Sequence, residues 1–432
     1  MAIHLKAFRE ELYREHLEEA AFKYETRQAW LDDPELGWLD LEDLENGIEA
    51  HLDALLAGGT LAKNTCLKAL EEEEAPLLHI ATRLFCKSGD SAQLNTLLRQ
   101  LTEADSESIR AFADALKWEC PEAMIEGIWQ VFIDGRSKLY PLLSDCVAYR
   151  TPHRVDVLVK ALESETQHSE VLVDAIAHCQ KPPASALAPL YQCLNQNNEK
   201  LSQKAALAIV RSGDLRLALQ LQAQAETFPF VLALAGDEPA FHALLESCKL
   251  KPSNDALLAL GLGGKASALP VILKSLNSDE LADSAALALN LITGANLYED
   301  VHIPEDMEQE ELFEHEQEAF KRGEIPKNID GLPFGAEVKK LSTDIKTWHN
   351  WIKPNLSQLK PEQRYRYGKV FSPEGCYRCL ISNQLPADIR QLIHTEMCAR
   401  LQVNIPFCAR DTVRNQQQQL MNIRQWLMNR QS

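Results

Sequence analysis

A chain of 432 residues is longer than one compact core supports, so several domains or an elongated array of repeats is expected. Hydrophobic residues at 45% exclude a disordered polymer, and 25% charged residues with a mean hydropathy of −0.26 describe an ordinary soluble chain. The net charge of −19 is uneven: residues 331–432 hold 15 Lys and Arg against 7 Asp and Glu, leaving 29 against 56 in residues 1–330. The two stretches thus carry +8 and −27, which argues against a polyanionic partner for the longer one.

The opening, Met1 to His16, carries Lys6, Arg9, Glu10, Glu11, Arg14 and Glu15 and offers no secretory apolar core. No apolar run is long and uninterrupted enough to span a bilayer. Eleven scattered cysteines sit mostly in apolar helical patterns such as Leu84-Phe85-Cys86, as reduced core thiols do, so the chain is expected to be cytoplasmic.

Apolar residues recur at helical spacing nearly throughout, and no run alternates long enough to compete as a strand. Leu41, Leu44, Ile48, Leu52 and Leu55 predict a helix capped by Asp40 and stopped at Gly58-Gly59. Leu94, Leu97, Leu98 and Leu101, then Ile109, Phe112 and Leu116, predict two more. Ser88-Gly89-Asp90, Ser212-Gly213-Asp214 and Ala235-Gly236-Asp237 repeat one turn, with glycine expected left-handed and aspartate capping the next helix.

Residues 187–213 (LAPLYQCLNQNNEKLSQKAALAIVRSG) and 268–294 (ALPVILKSLNSDELADSAALALNLITG) share an apolar helix with an early proline, a polar turn and a helix built on Ala-Ala-Leu-Ala. Both resemble HEAT and related helical repeats. A single such pair cannot bury its apolar stripe, so stacking into a solenoid is expected.

Between Leu297 and Leu332 the rhythm breaks: residues 299–318 contain ten Asp or Glu and no Lys or Arg, followed by Gly323, Pro326, Asn328, Gly331 and Pro333. Beyond this insertion, Val338, Leu341, Ile345 and Trp348 are read as one helix face. Ile389, Leu392 and Ile393, then Leu420, Ile423 and Leu427, mark later helices. The expected architecture is all-α, a HEAT-like helical-repeat solenoid with a helical C-terminal part. Its divisions are an N-terminal helical segment (1–75), HEAT-like repeats (76–296), an acidic insertion or linker (297–333) and a basic helical C-terminal part (334–432).

The segments His16 to Phe22 with Arg27, Leu41 to Leu44, and Ile48 to Leu55, together with Trp348-His349-Asn350-Trp351, Arg364-Tyr365-Arg366-Tyr367-Gly368 and Arg390, resemble a proteobacterial family of HEAT-repeat proteins. Its members tend to be encoded near type VI secretion genes. Where that family often has adjacent tryptophans, Trp348 and Trp351 are three apart, on one helix face.

Candidate chemistry is sparse. Cys376-x-x-Cys379 with Cys398 and Cys408 lacks the spacing of a second zinc-binding pair and reads as core thiols. Gly261-Leu262-Gly263-Gly264-Lys265 follows a helix and lacks a Ser or Thr after the lysine, so it reads as a turn between helices. The twelve histidines, His51 and His394 among them, form no metal-binding pair, and Glu71 to Glu74 point in different directions. No catalytic, cofactor or metal site is expected.

A solenoid offers extended binding area, and the acid excess favours a basic protein. The resemblance implies a type VI secretion-linked immunity factor that neutralises a basic effector, with an effector-loading adaptor or a secretion-machine scaffold as alternatives. A HEAT-like DNA glycosylase would need a basic groove, which the acidic repeats do not offer. The candidate partner-binding residues are Glu299, Asp300, Glu305, Asp306, Glu308, Glu310 and Glu311, with Trp348, Trp351, Arg364 and Arg366 on the basic side.

Overall fold

A computed structural model describes residues 2–33, 35–178, 181–304, 317, 320–324, 327, 331, 333–361 and 363–431. The described residues are overwhelmingly α-helical. They fall into two compact units, one formed by residues 1–251 with 371–432 and the other by 252–370. The basic stretch 334–432 is therefore shared between units.

The first unit opens with α1 (Ala2–Leu31) and α2 (Glu42–Ala69), packed on each other. The expected stop at Gly58-Gly59 is a break and not an end: Gly59 takes φ 57° and ψ −133°, and the chain resumes helix to Ala69. Asp40 lies inside the short turn Trp38–Leu41, where its carboxylate accepts from the Gly37 N–H at 2.6 Å, instead of capping α2.

There follow α3 (Ala75–Lys87), α4 (Ser91–Gln100), α5 (Ser106–Glu119), α6 (Glu122–Ile133), α7 (Tyr140–Arg150), α8 (Asp156–Ser164), α9 (Ser169–His178), α10 (Leu187–Leu194) and α11 (Glu199–Ser212). Helices α3, α5, α7, α9 and α11 form one row, each packed on the next, while α6, α8 and α10 form a second row against it. Caps start these helices. Asp105 accepts from the N–H groups of Glu107 and Ser108 at 2.8 and 2.9 Å, and Asn198 accepts from Leu201 at 3.1 Å. The alanines of α11, Ala205, Ala206 and Ala208, are fully buried, as close approach of neighbouring helices requires.

Gly89 and Gly213 end α3 and α11 in the left-handed conformation, at φ 68° and 98°. The third glycine of the repeated turn differs. Gly236, after α12 (Leu217–Gln220) and α13 (Pro229–Ala235), has φ −68° and ψ 158°, and is glycine because a Cβ there would lie 2.2 Å from the Leu232 carbonyl oxygen. Asp237 still caps α14 (Glu238–Leu250).

In the second unit, α15 (Asn254–Gly263), α16 (Leu269–Ser275) and α17 (Asp279–Thr293) repeat the grammar, with Gly264 and Gly294 left-handed. Gly261 lies so near α17 that a Cβ would meet Ala288 Cα at 2.7 Å. Here strands also appear that periodicity did not predict: β1 (Tyr298–Pro304) pairs antiparallel with β2 (Gly335–Leu341). Val338 and Leu341 thus lie on a strand, and the helix α18 (Ile345–Asn355) begins only after Asp344 caps it. A second two-residue ladder joins β3 (Tyr365–Arg366) to β4 (Lys369–Val370).

The chain then returns to the first unit with α19 (Pro373–Leu380), α20 (Ala387–Leu401) and α21 (Val413–Gln431). Helix α20 packs on α11 and α13, α21 packs on α2, and α19 packs on both α20 and α21. Leu420, Ile423 and Leu427 are buried, as their spacing predicts. No helix among the described residues is long and apolar enough to cross a membrane.

Candidate functional site: a cavity closed by the C-terminal segment

Polar groups of the first unit meet the returning segment. Arg27, about 1% exposed, donates to Glu45 at 2.7 Å and to the backbone carbonyls of Arg410 and Asp411 at 3.2 and 3.1 Å. Arg400 donates to the carbonyls of Leu234 and Gly236, each at 2.6 Å, and Lys181 reaches Gln402 at 2.7 Å. Charge runs the same way: residues 1–251 hold 24 Lys and Arg against 40 Asp and Glu, whereas 371–432 hold 7 against 4. The acidic stretch 1–251 is thus met by a basic segment of its own chain.

Between them a cavity of about 230 Å³ remains, lined by Lys117, Asp145, Ala148, Tyr149, Pro152 and His178 from the row, and by Pro406, Phe407, Cys408 and Gln419 from the segment. Asp145 and Tyr149 stand four apart on α7, hence on one face. Pro406 and His178 are exposed at the cavity, while Phe407 forms a buried wall.

The far side is a closed hydrogen-bond network around Asp411, which is fully buried. Tyr149 Oη donates to its carboxylate, Gln419 Nε2 donates at 3.0 Å and Asn415 Nδ2 at 3.1 Å. The Cys408 N–H donates to Gln419 Oε1 at 3.0 Å, which fixes the wall that carries the thiol. Burial and then the Asp411 charge push the Tyr149 phenol far above its ordinary range.

The near side is charged. Lys117 Nζ is 3.7 Å from Asp114 and 5.9 Å from the Tyr149 ring centroid. Burial disfavours its ammonium, yet Asp114, Asp411 and Asp145 outweigh that cost and hold it above the usual lysine range. Asp145 and Asp174 on one side and Lys117 and Arg211 on the other set the electrostatics at the exposed His178 imidazole. Burial raises the Cys408 thiol, so the sulfur is protonated and a poor nucleophile at neutral pH. No hydrogen bond among the described residues holds the half-buried Asp145 carboxylate. The arrangement offers an apolar wall and one carboxylate that no hydrogen bond among the described residues holds.

The residues singled out from sequence lie elsewhere, in the second unit. Glu299 and Asp300 sit on β1 directly across from Lys340 and Lys339 of β2, so opposite charges face each other within the chain. Trp348 is fully buried, with Nε1 donating to the Ser342 carbonyl at 2.6 Å, and Trp351 is half-buried on the same helix. Arg364 and Arg366 both donate to the Leu262 carbonyl at 2.7 Å, and Arg366 is fully buried. Burial takes Trp348 and Arg366 out of any surface a partner could touch. Glu305, Asp306, Glu308, Glu310 and Glu311 lie outside the described residues. Cys376, Cys379 and Cys398 are buried, and no group of three or more His, Cys, Asp or Glu among the described residues is placed to hold a metal ion.

Sequence reading missed the cavity because its walls come from positions 117 to 178 and 406 to 419. One signal was available: Asp145 and Tyr149 share a face of a helix whose other residues, Leu142, Leu143, Cys146 and Val147, are core. No family model, curated protein or solved structure matches the chain.

Proposed function

We propose that this chain is a non-enzymatic, HEAT-like helical-repeat protein that binds a basic protein, acting in the cytoplasm as an immunity factor of a type VI secretion system. The observation that carries this reading is the acid excess of the first unit, which draws in cations over the extended area that its stacked short helices present. The first unit as a whole, with its basic segment in place, still holds 31 Lys and Arg against 44 Asp and Glu. The row α3, α5, α7, α9 and α11 with its small buried alanines supports the HEAT-like description. The returning segment narrows where the partner sits, because it already engages Tyr149 of the row, Arg27 of α1 and the Leu234 carbonyl of α13. Binding then falls to the cavity and to the exposed carboxylates of the first unit.

The test is co-purification from the native host, followed by an activity assay of whatever basic protein is retained. An immunity factor abolishes the toxicity of that protein at stoichiometric amounts. Retention with full toxicity marks a loading adaptor, and retention of no basic protein removes the proposal.

A further inference from the structure

We propose that the Lys117–Asp145–His178 cavity is the anchor pocket for a single arginine side chain of the basic partner. The inference rests on the binding function just proposed, and it assigns that function a place and a chemistry.

Size decides first. Pockets for small organic ligands span roughly 300–1,000 Å³, and this one measures about 230 Å³, room for one large side chain. Interfaces commonly seat one arginine, tryptophan or tyrosine in such a pocket.

Charge decides next. Lys117 is the one Lys or Arg among the described residues lining the cavity. Asp145 lines it as well, and Asp114 and Asp411 lie behind Lys117. Three carboxylates against one ammonium leave an anionic pocket. Asp411 is saturated by Tyr149, Asn415 and Gln419, and Asp114 is drawn to Lys117, so Asp145 is the carboxylate left to meet a guest.

Shape decides last. The Tyr149 and Phe407 rings and the Pro152 and Pro406 rings supply flat apolar walls, which suit a planar, weakly hydrated guanidinium better than a compact ammonium.

The test uses the full chain and a reporter inside the pocket. Cys408 lines the cavity and is the one described cysteine that is not buried. Its alkylation by iodoacetamide at alkaline pH, where the thiol begins to ionise, is located by peptide mass mapping and followed with N-acetyl-arginine amide, N-acetyl-lysine amide or N-acetyl-glutamate amide at equal concentration and ionic strength. The arginine probe is expected to slow alkylation several-fold, the lysine probe less, and the glutamate probe not at all; Asp145→Asn is expected to abolish the protection. Equal protection by all three probes, none by the arginine probe, or protection surviving in Asp145→Asn overturns the proposal. The probe comparison needs no variant, so a folding defect in Asp145→Asn leaves it decisive. With the partner in hand, Asp145→Asn is expected to weaken its binding by about tenfold or more. Partner binding that is unchanged in Asp145→Asn removes the pocket and leaves the binding function standing. Pocket protection without any basic partner does the reverse.

Discussion

The guanidinium of Arg27, on the first helix, donates at 3.1 Å to the backbone carbonyl of Asp411, which lies 384 positions further along the chain. The same guanidinium pairs with Glu45 and lies 5.3 Å from the centre of the Trp118 ring. Arg27 therefore ties the start of the chain to the segment that closes the cavity.

Replacing Arg27 with methionine keeps most of the volume but leaves the Glu45 carboxylate and two carbonyls without their donor. Stranding one member of a buried ion pair costs about 3–5 kcal/mol. We expect a loss near the lower end of that range in urea unfolding, because Glu45 also accepts from the Val413 N–H at 2.7 Å. An unchanged unfolding midpoint would mean that the C-terminal segment is not held at this point.

The two kinds of glycine separate by substitution. Gly89 is left-handed with open space around it, so Gly89→Ala is expected to cost about 1 kcal/mol, from backbone strain alone. Gly236 is not left-handed, and Gly236→Ala drives a methyl against the Leu232 carbonyl and the Ala240 Cβ, at 2.2 and 2.5 Å. Gly236→Ala should therefore be the more damaging change in thermal melts. The reverse order would remove the close contact as the reason for that glycine.

Two histidines make the fold acid-sensitive. His79 is fully buried, stacked on Tyr24 with ring centroids 3.7 Å apart, with Nδ1 2.9 Å from the Ala111 carbonyl. A carbonyl only accepts, so Nδ1 carries the proton and Nε2 is bare. His394 is likewise buried, with Nε2 3.0 Å from the Ile405 carbonyl. Burial, then the Arg83 charge for His79 and Arg211 for His394, holds both well below the ordinary histidine value of 6.5. The unfolded chain thus binds protons that the folded chain refuses, so the stabilisation is complete above pH 6.5 and is lost as pH falls below it. Melting temperatures recorded between pH 7.5 and 5.5 should decline, and less so in His79→Gln. A flat profile would mean that these imidazoles are not buried neutral.

Much of this architecture is legible in the sequence, and the failures have physical causes. The Ala-Ala-Leu-Ala pattern places Ala205, Ala206 and Ala208 at a close helix contact, because small residues at helical spacing have one main use. Val338 and Leu341 share a helical spacing by chance, and strand β2 owes its existence to pairing with β1, more than thirty residues earlier, which local periodicity cannot register. Arg27, Arg366 and Arg390 look like surface charges in a string of letters. Partners remote in sequence, such as the Leu262 carbonyl for Arg366 and the Trp38 ring for Arg390, help account for their burial. The cavity has the same origin: Asp145 and Cys408 become neighbours of one space only when the last sixty residues fold back.

Whether the acidic first unit receives a basic protein is tested most directly by the salt dependence of association. Exposed charges are screened over about 8 Å at physiological ionic strength and mainly govern encounter, while packed contacts govern release. With the partner captured from the native host and both rates followed by surface plasmon resonance, raising salt from low to physiological strength should slow association several-fold and leave dissociation nearly unchanged. An acidic partner, or an association rate indifferent to salt, would contradict the account.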